Sequence, residues 1–320
     1  MAKPKLLVTR KLPDAVEARI ARDFDATFNP TDAVRDGAAL AAAAAGHDAV
    51  LLAAGDPFGA STINALPTSV KALATFSVGF DHVDLAAAKA RNIIVTNTPD
   101  VLTDATAEIA MLLILASMRR AGEAERMVRA RQWVGWAPTQ LMGLSVSHKR
   151  LGIFGFGRIG RRLAEMARGF RMEIHYHDVA RAAPELEQGA TFHADEGKFL
   201  AISQVISLHA PGGEKTRKWL NAERIAQLPK GAVVVNTARG TLVDDAALVA
   251  ALHSGHIAYA GLDVFDGEPK IFEGYYGAPN VTLLPHLGSA TIETRDAMGF
   301  RALDNLDAVF GGREPRDRVA

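Results

Sequence analysis

Three ionisable side chains in the second half of the chain each stand just beyond a short apolar run. Arg239 follows Val233-Val234-Val235-Asn236, Glu268 follows the run that ends at Asp263, and His286 follows Leu283-Leu284. Histidine is the side chain best suited to exchange a proton near neutral pH. A carboxylate beside it, here Glu268, would fix its tautomer. Arg239 offers a planar fork that can hold a carboxylate and polarise an adjacent carbonyl. Taken singly, each has a plainer reading: a surface ion pair, a loop charge and a satisfied loop histidine. Their joint placement after one particular motif is what favours chemistry.

That motif begins with the apolar strand Leu151-Gly152-Ile153-Phe154, which runs straight into Gly155, Gly157 and Gly160, spaced G-x-G-x-x-G. Such a loop needs Gly155 to turn tightly, Gly157 to let backbone approach a pyrophosphate, and Gly160 to let the next helix lie close on the sheet. The helix N-terminus then meets phosphate with unpaired N–H groups and a positive dipole end. Three glycines alone could be only a turn. Here residues 161–170 read as a helix and 172–177 as a second strand. That strand ends at Asp178, where a carboxylate can accept both hydroxyls of an adenosine ribose. The combination predicts a dinucleotide site.

Groups of this kind are positioned by a parallel sheet, which requires strands and helices to alternate. Residues 5–9, 48–53, 73–78 and 93–95 read as strands, with helices over 13–24 and 38–45 between the first of them. At Val78-Gly79-Phe80-Asp81-His82-Val83-Asp84, a glycine at a strand's carboxyl end can open backbone N–H groups to a crevice. An ordinary turn with Asp84 capping the next helix explains the same residues. Pro99 starts a new direction and marks the first domain boundary. Residues 103–119 form a helix whose apolar face, with Ile109, Leu112, Leu113 and Leu115, is too rich for solvent, so it is expected to pack between domains. A charged helix over 121–132 precedes an irregular stretch with Trp133, Trp136 and Pro138, read as an interface or a pocket lid. Beyond Asp178, strands over 190–192, 204–209, 232–236 and 257–263 complete an expected six-stranded doubly wound sheet. Their ends at His209, Thr237 to Gly240 and Asp263 can face a cofactor. A last strand over 281–284 and a helix over 292–310 follow, the helix expected to cross back and cover the first sheet.

Composition narrows the function classes. Thirty-six basic and 36 acidic residues cancel, so no overall positive field favours nucleic acid or an anionic membrane. Aromatic residues are not interleaved with basic runs, as single-strand binding would need. The absence of cysteine excludes disulfides and thiolate metal sites and fits a reducing compartment. Residues 1–5 lead into a strand with no apolar leader, and no apolar run is long enough to span a membrane, so a cytoplasmic protein is expected. His175 and His177 share one strand face without further ligands, and no metal-binding spacing occurs, so no metal is expected.

Several motifs together are highly specific: Val78 to Asp84, Thr103-Asp104-Ala105-Thr106-Ala107-Glu108, Gly155-Phe156-Gly157-Arg158-Ile159-Gly160, Asn236-Thr237-Ala238-Arg239-Gly240, Leu262-Asp263-Val264-Phe265 with Glu268-Pro269, and Leu284-Pro285-His286-Leu287-Gly288-Ser289. Over essentially its whole length the chain resembles the D-isomer-specific 2-hydroxyacid dehydrogenases. The resemblance implies a catalytic triad of Arg239, Glu268 and His286, with substrate carboxylate on the Val78 and Gly79 backbone, Arg239 and Trp136 also at the substrate, and Asp263 on the nicotinamide carboxamide. Thr106, Gly155, Gly157, Arg158, Ile159, Gly160, Asp178, His209, Ala210, Pro211, Thr237, Ala238, Arg239, Asp263 and His286 are the implied cofactor contacts. It further implies an α/β protein in which a Rossmann dinucleotide domain, 100–287, is inserted into a flavodoxin-like substrate domain, 1–99 and 288–320, with a homodimer formed through 119–144.

Within the family, residues 133–138 and 273–280 look most like glycerate dehydrogenases, also called hydroxypyruvate reductases, and glyoxylate reductases. The implied reaction is reduction of hydroxypyruvate or glyoxylate to a D-2-hydroxy acid. NADP-preferring relatives often carry a small polar residue and then Arg where this chain has Asp178-Val179. NAD is therefore expected, with NADP a weaker alternative because Arg181 is near. The rival reading is a non-catalytic, NAD-sensing, corepressor-like protein of the same fold.

Overall fold

Strands that are apolar along their whole length need cover on both faces, which parallel sheets obtain from crossover helices. The computed structural model describes residues 2–320 and shows this arrangement twice. One unit comprises the chain up to Leu102 together with Ser289–Ala320, and the other is Thr103–Gly288. These divisions lie slightly beyond the expected 99/100 and 287/288. Thr98 N–H is tied to the Ser77 carbonyl and Leu102 is buried in the first unit, whereas Gly288 N–H is bound by Asp263 within the second.

In the first unit, strands β1 (Lys5–Val8), β2 (Asp25–Thr27), β3 (Ala49–Ala53), β4 (Ala72–Phe76) and β5 (Ile94–Thr96) are parallel in the order β2-β1-β3-β4-β5, the flavodoxin-like order. Helices α1 (Asp14–Asp23), α2 (Gly37–Ala43), α3 (Ala60–Ala65) and α4 (Leu85–Ala90) connect them. The sequence reading misses β2 and α3. β2 is a three-residue edge strand without apolar alternation, and α3 is a short polar helix that buries only Thr62 and Ile63. The helix Ile292–Phe310 packs on β4 and α1, and Arg19 of α1 binds Asp304 and Asp307, each at 2.7 Å.

The second unit opens with α5 (Thr103–Met118) and α6 (Ala121–Arg129). Then follow β6 (Arg150–Phe154), α7 (Arg158–Arg168), β7 (Glu173–His177), α8 (Pro184–Glu187), β8 (Thr191–Phe192), α9 (Glu196–Ile202) and β9 (Val205–Leu208). The unit ends with α10 (Ala222–Gln227), β10 (Ala232–Asn236), α11 (Asp245–Ser254), β11 (Ile257–Leu262), α12 (Gly274–Gly277) and β12 (Val281–Leu283). Its sheet is parallel with order β12-β11-β10-β9-β6-β7-β8. The expected six strands become seven because β12 pairs with β11 at the edge. Winding reverses at β6, which has β7 on one side and β9 on the other, and such a switch point is where open α/β sheets hold ligands.

All five residues of β10 are buried, as the centre of a doubly covered sheet requires. Within this unit α5 packs on α7 and on β10 and β11. Leu113 and Ile114 are fully buried, and Ser117 Oγ donates to the Ala260 carbonyl at 3.2 Å. Leu112, assigned to the packed face from sequence, is instead 48% exposed.

Candidate active site

β6 delivers the chain to Gly155, which has φ of +91°. A β-carbon there would lie 2.5 Å from the Ala210 nitrogen, so both conformation and space demand glycine. The turn passes directly into α7, so Arg158 and Ile159 are already helical where the sequence reading starts its helix at residue 161. At Gly160 a β-carbon would overlap the Gly155 carbonyl oxygen, which brings α7 close under the loop. At Gly157, the N-cap of α7, a β-carbon would meet nothing within 4 Å. That open space over a helix N-terminus is the cradle a pyrophosphate needs. Asp178, just after β7, accepts the Phe156 N–H on one oxygen and the Val179 N–H on the other, each at 2.7 Å. The Phe156 ring stacks on buried Tyr176 with centroids 4.0 Å apart.

The neighbouring strands end at the same edge of the sheet. After β9, His209 N–H donates to the Phe154 carbonyl at 2.7 Å, and its Nε2 lies 2.8 Å from Ser207 Oγ. Burial lowers its pKa to about 4, so the ring is neutral at working pH. After β10, buried Asn236 accepts the Ala238 N–H and donates to the Arg239 carbonyl at 2.8 Å, fixing the turn that presents Arg239. Each such buried bond is worth about 1 kcal/mol. Thr237 Oγ1 is buried with no hydrogen-bond partner. Gly240 lies where a β-carbon would overlap the backbone of Phe265 and Asp266, so the Arg239 turn and the loop bearing Glu268 are in direct contact.

Asp263, fully buried after β11, holds the His286 loop from three atoms. Its carbonyl accepts His286 N–H at 2.9 Å, and its carboxylate oxygens accept Leu287 N–H at 2.7 Å and Gly288 N–H at 2.8 Å. Burial raises its pKa despite these bonds. Glu268 accepts the Phe265 N–H at 2.7 Å on one oxygen and meets His286 Nδ1 at 2.8 Å on the other. Burial pushes the Glu268 carboxyl up, but His286, the Phe265 N–H and the Arg239 charge together bring it below the usual range. It is therefore a carboxylate at neutral pH. A carboxylate on Nδ1 assigns the ring proton there and leaves Nε2 to face a reacting oxygen. The imidazole is half-exposed, within reach of a small molecule.

Sequence reasoning separates these groups by as many as 47 positions, from Arg239 to His286, and the sheet edge brings them together with His209, Thr237, Asp263 and the glycine loop. Thr106, at the start of α5, is buried next to Gly288. Ala210 adjoins Gly155, and Pro211 follows it on the surface. Trp136 is 83% exposed on the segment after α6. Val78 and Gly79 belong to the other unit, at the carboxyl end of β4. There Asn97 Nδ2 donates to the Val78 carbonyl at 2.8 Å and Ser77 Oγ to the Gly79 carbonyl at 2.6 Å. Asp84 caps α4 through the Ala87 N–H. His175 does have a neighbour on its face, with Nδ1 3.0 Å from His193 Nε2. Among the described residues, no group of three or more His, Asp or Glu is placed to hold a metal ion.

Residues 111–288 match the family model described as D-isomer specific 2-hydroxyacid dehydrogenase, NAD binding domain. The chain is 47% identical to the glycerate dehydrogenase of Hyphomicrobium methylovorum, covering 98% of both chains. It is 37% identical to the glyoxylate reductase of Thermococcus litoralis, covering 99% of this chain and 97% of that one. Among solved structures, it is similar to an NADPH-dependent glyoxylate/hydroxypyruvate reductase from Sinorhizobium meliloti in complex with NADP and malonate, with a TM-score of 0.89, 35% identity, and coverage of 100% and 97%. The chain belongs to the D-isomer specific 2-hydroxyacid dehydrogenase family.

The residues of this 2-hydroxyacid dehydrogenase fit the dinucleotide its family implies. The unfilled space at Gly157, the unpartnered Thr237 hydroxyl and the Asp178 carboxylate lie along one edge of the sheet that β6, β7 and β10 share. Ser77, Asn97, Asn236 and Tyr176 have no role of their own in the sequence reading, because each acts through a neighbour's backbone or ring. Only the Asn236-to-Gly240 motif contains a signal that could have found one of them, since an Asn before a turn tends to bond its own backbone two residues on.

Proposed function

We propose that the protein reduces a small 2-oxo acid, hydroxypyruvate or glyoxylate, to D-glycerate or glycolate with NADH. The observation that carries this is the His286 Nδ1 to Glu268 contact of 2.8 Å at the carboxyl edge of the sheet that also bears the glycine loop. Bound NADH supplies the hydride that adds to the carbonyl carbon. His286 gives the carbonyl oxygen its proton from Nε2, and Glu268 holds the ring in position and stabilises the imidazolium before transfer. Arg239 holds the substrate carboxylate and polarises the carbonyl beside it. The Val78 and Gly79 backbone and Trp136 are assigned to substrate on the sequence resemblance. Asp263, Thr106, His209 to Pro211, Thr237 and Ala238 line the cofactor side, Gly155 to Gly160 take the pyrophosphate, and Asp178 takes the ribose.

NAD is preferred over NADP on electrostatic grounds. A 2′-phosphate about 4 Å from the Asp178 carboxylate would be repelled by roughly 4 kcal/mol at an effective dielectric near 20. Even a third of that is about tenfold in affinity. The non-catalytic alternative has no support, since the relatives named above are dehydrogenases and reductases. We assign the chain to a homodimer formed through residues 119–144. This is supported by α6, which buries no residue, and by Val134 at 99% exposure beside exposed Trp133, Trp136 and Met142. No helix among the described residues is long and apolar enough to cross a membrane. A cytoplasmic location rests on the cysteine-free composition.

Initial rates of NADH oxidation with hydroxypyruvate, glyoxylate and pyruvate test the reading. One of the first two should have the highest kcat/KM. Turnover indistinguishable from background with all three would refute the proposed reaction.

A further inference from the structure

Arg181 stands three residues after Asp178 and is the only cation in the loop 178–182. A cation in that place could offset the repulsion between Asp178 and a 2′-phosphate, but the structure engages it elsewhere. Its Nε and Nη2 bind the two Glu187 carboxylate oxygens at 2.8 and 2.9 Å, a two-pronged contact that fixes the guanidinium plane.

Glu187 is itself firmly placed. Its side chain is 9% exposed although Arg181 is 64% exposed, and its backbone carbonyl accepts Arg168 Nη2 at 2.9 Å. The oxygen that meets Arg181 Nε also accepts the hydroxyl proton of Tyr176 at 2.6 Å. Tyr176 in turn accepts the Ala182 N–H at 3.0 Å, is fully buried, and stacks on Phe156 of the glycine loop. One connected set of contacts thus runs from the pyrophosphate loop to the arginine. Arg181 and Tyr176 hold the Glu187 carboxyl down to about 2, so it stays charged at any working pH.

We propose that Glu187 is a specificity-determining residue for the cofactor, acting as a positioning group that withholds Arg181 from a 2′-phosphate and so reinforces the exclusion begun by Asp178. The proposal rests on the nucleotide reading of Asp178 given above. Glu187→Gln is the informative change. The amide oxygen can still accept from Tyr176 and from Arg181 Nε, while the amide nitrogen faces Arg181 Nη2 as donor against donor and the negative charge is gone, so the two-pronged hold on Arg181 is broken.

Calorimetric titration with 5′-AMP and 2′,5′-ADP reads the effect without turnover. In Glu187→Gln, 2′,5′-ADP should bind about fivefold more tightly as a charge-assisted contact becomes available, with 5′-AMP unchanged within about twofold. Adding Arg181→Met should erase the gain. Arg181→Met alone should leave both affinities as in the wild type, and this variant carries the test should Glu187→Gln not fold. Two results overturn the proposal: no tightening in a Glu187→Gln protein that still binds 5′-AMP, or weakened 2′,5′-ADP binding in Arg181→Met alone. Failure of the wild type to bind 5′-AMP would instead remove the nucleotide reading, and this proposal with it.

Discussion

His286 is held at its backbone by Asp263 and at its ring by Glu268, so the imidazole reaches a substrate already oriented. His286→Ala is expected to lower kcat by about 10² to 10⁴ with the Kd for NADH unchanged, because the general acid is lost while the glycine loop is untouched. Steady-state rates and fluorescence titration check this, and near wild-type kcat would exclude His286 from proton transfer. His209 makes a different prediction, one of stability. Its folded pKa of about 4 lies below the ordinary 6.5, so in that interval the unfolded chain binds more protons than the folded one. The contribution is therefore complete above pH 6.5 and is lost as pH falls toward 4. His209→Gln should flatten this part of the acid-induced fall in Tm, and an identical fall in variant and wild type would contradict the assignment.

Elements matter through what their ends make room for, and the loop between β6 and α7 separates folding from binding. Gly155→Ala must open a left-handed turn and displace Ala210, so it should destabilise the protein by about 1–3 kcal/mol, seen in urea midpoints. Gly157→Ala has ordinary φ of −72° and open space, so its urea midpoint should match the wild type. Its NADH affinity should nevertheless fall, by about tenfold or more, because the methyl occupies the pyrophosphate approach. Equal NADH affinity in Gly157→Ala and wild type would show that no phosphate lies there. The strands and longer helices that frame this loop are legible from apolar runs and caps. β2 and α3 are not, since neither shows a period long enough to read.

At the scale of the whole molecule, α6 and the segment to Met142 carry large side chains that nothing within their own unit covers. Sedimentation at micromolar concentration is expected to give about twice the 34.1 kDa of one chain. An interface made by so long a segment should bury more than roughly 2,000 Å². A species of 34.1 kDa throughout that range would exclude the dimer.

By itself the sequence determined the class of fold, the dinucleotide motif and the candidate reacting groups. These depend on local chemistry: glycines where backbone must turn or approach, apolar runs that only a doubly covered sheet can bury, and polar residues at strand ends. The tertiary structure alone decided what each group meets. That Glu268 lies 2.8 Å from His286, that Gly240 is pressed against the Glu268 loop, and that Arg181 turns to Glu187 instead of standing open to the nucleotide are contacts across sheet edges and between loops. They follow from strand order and register, including the seventh strand β12, which places the His286 loop beside β11. No spacing along the chain encodes that order, because non-local pairing is selected by burial of both sheet faces together.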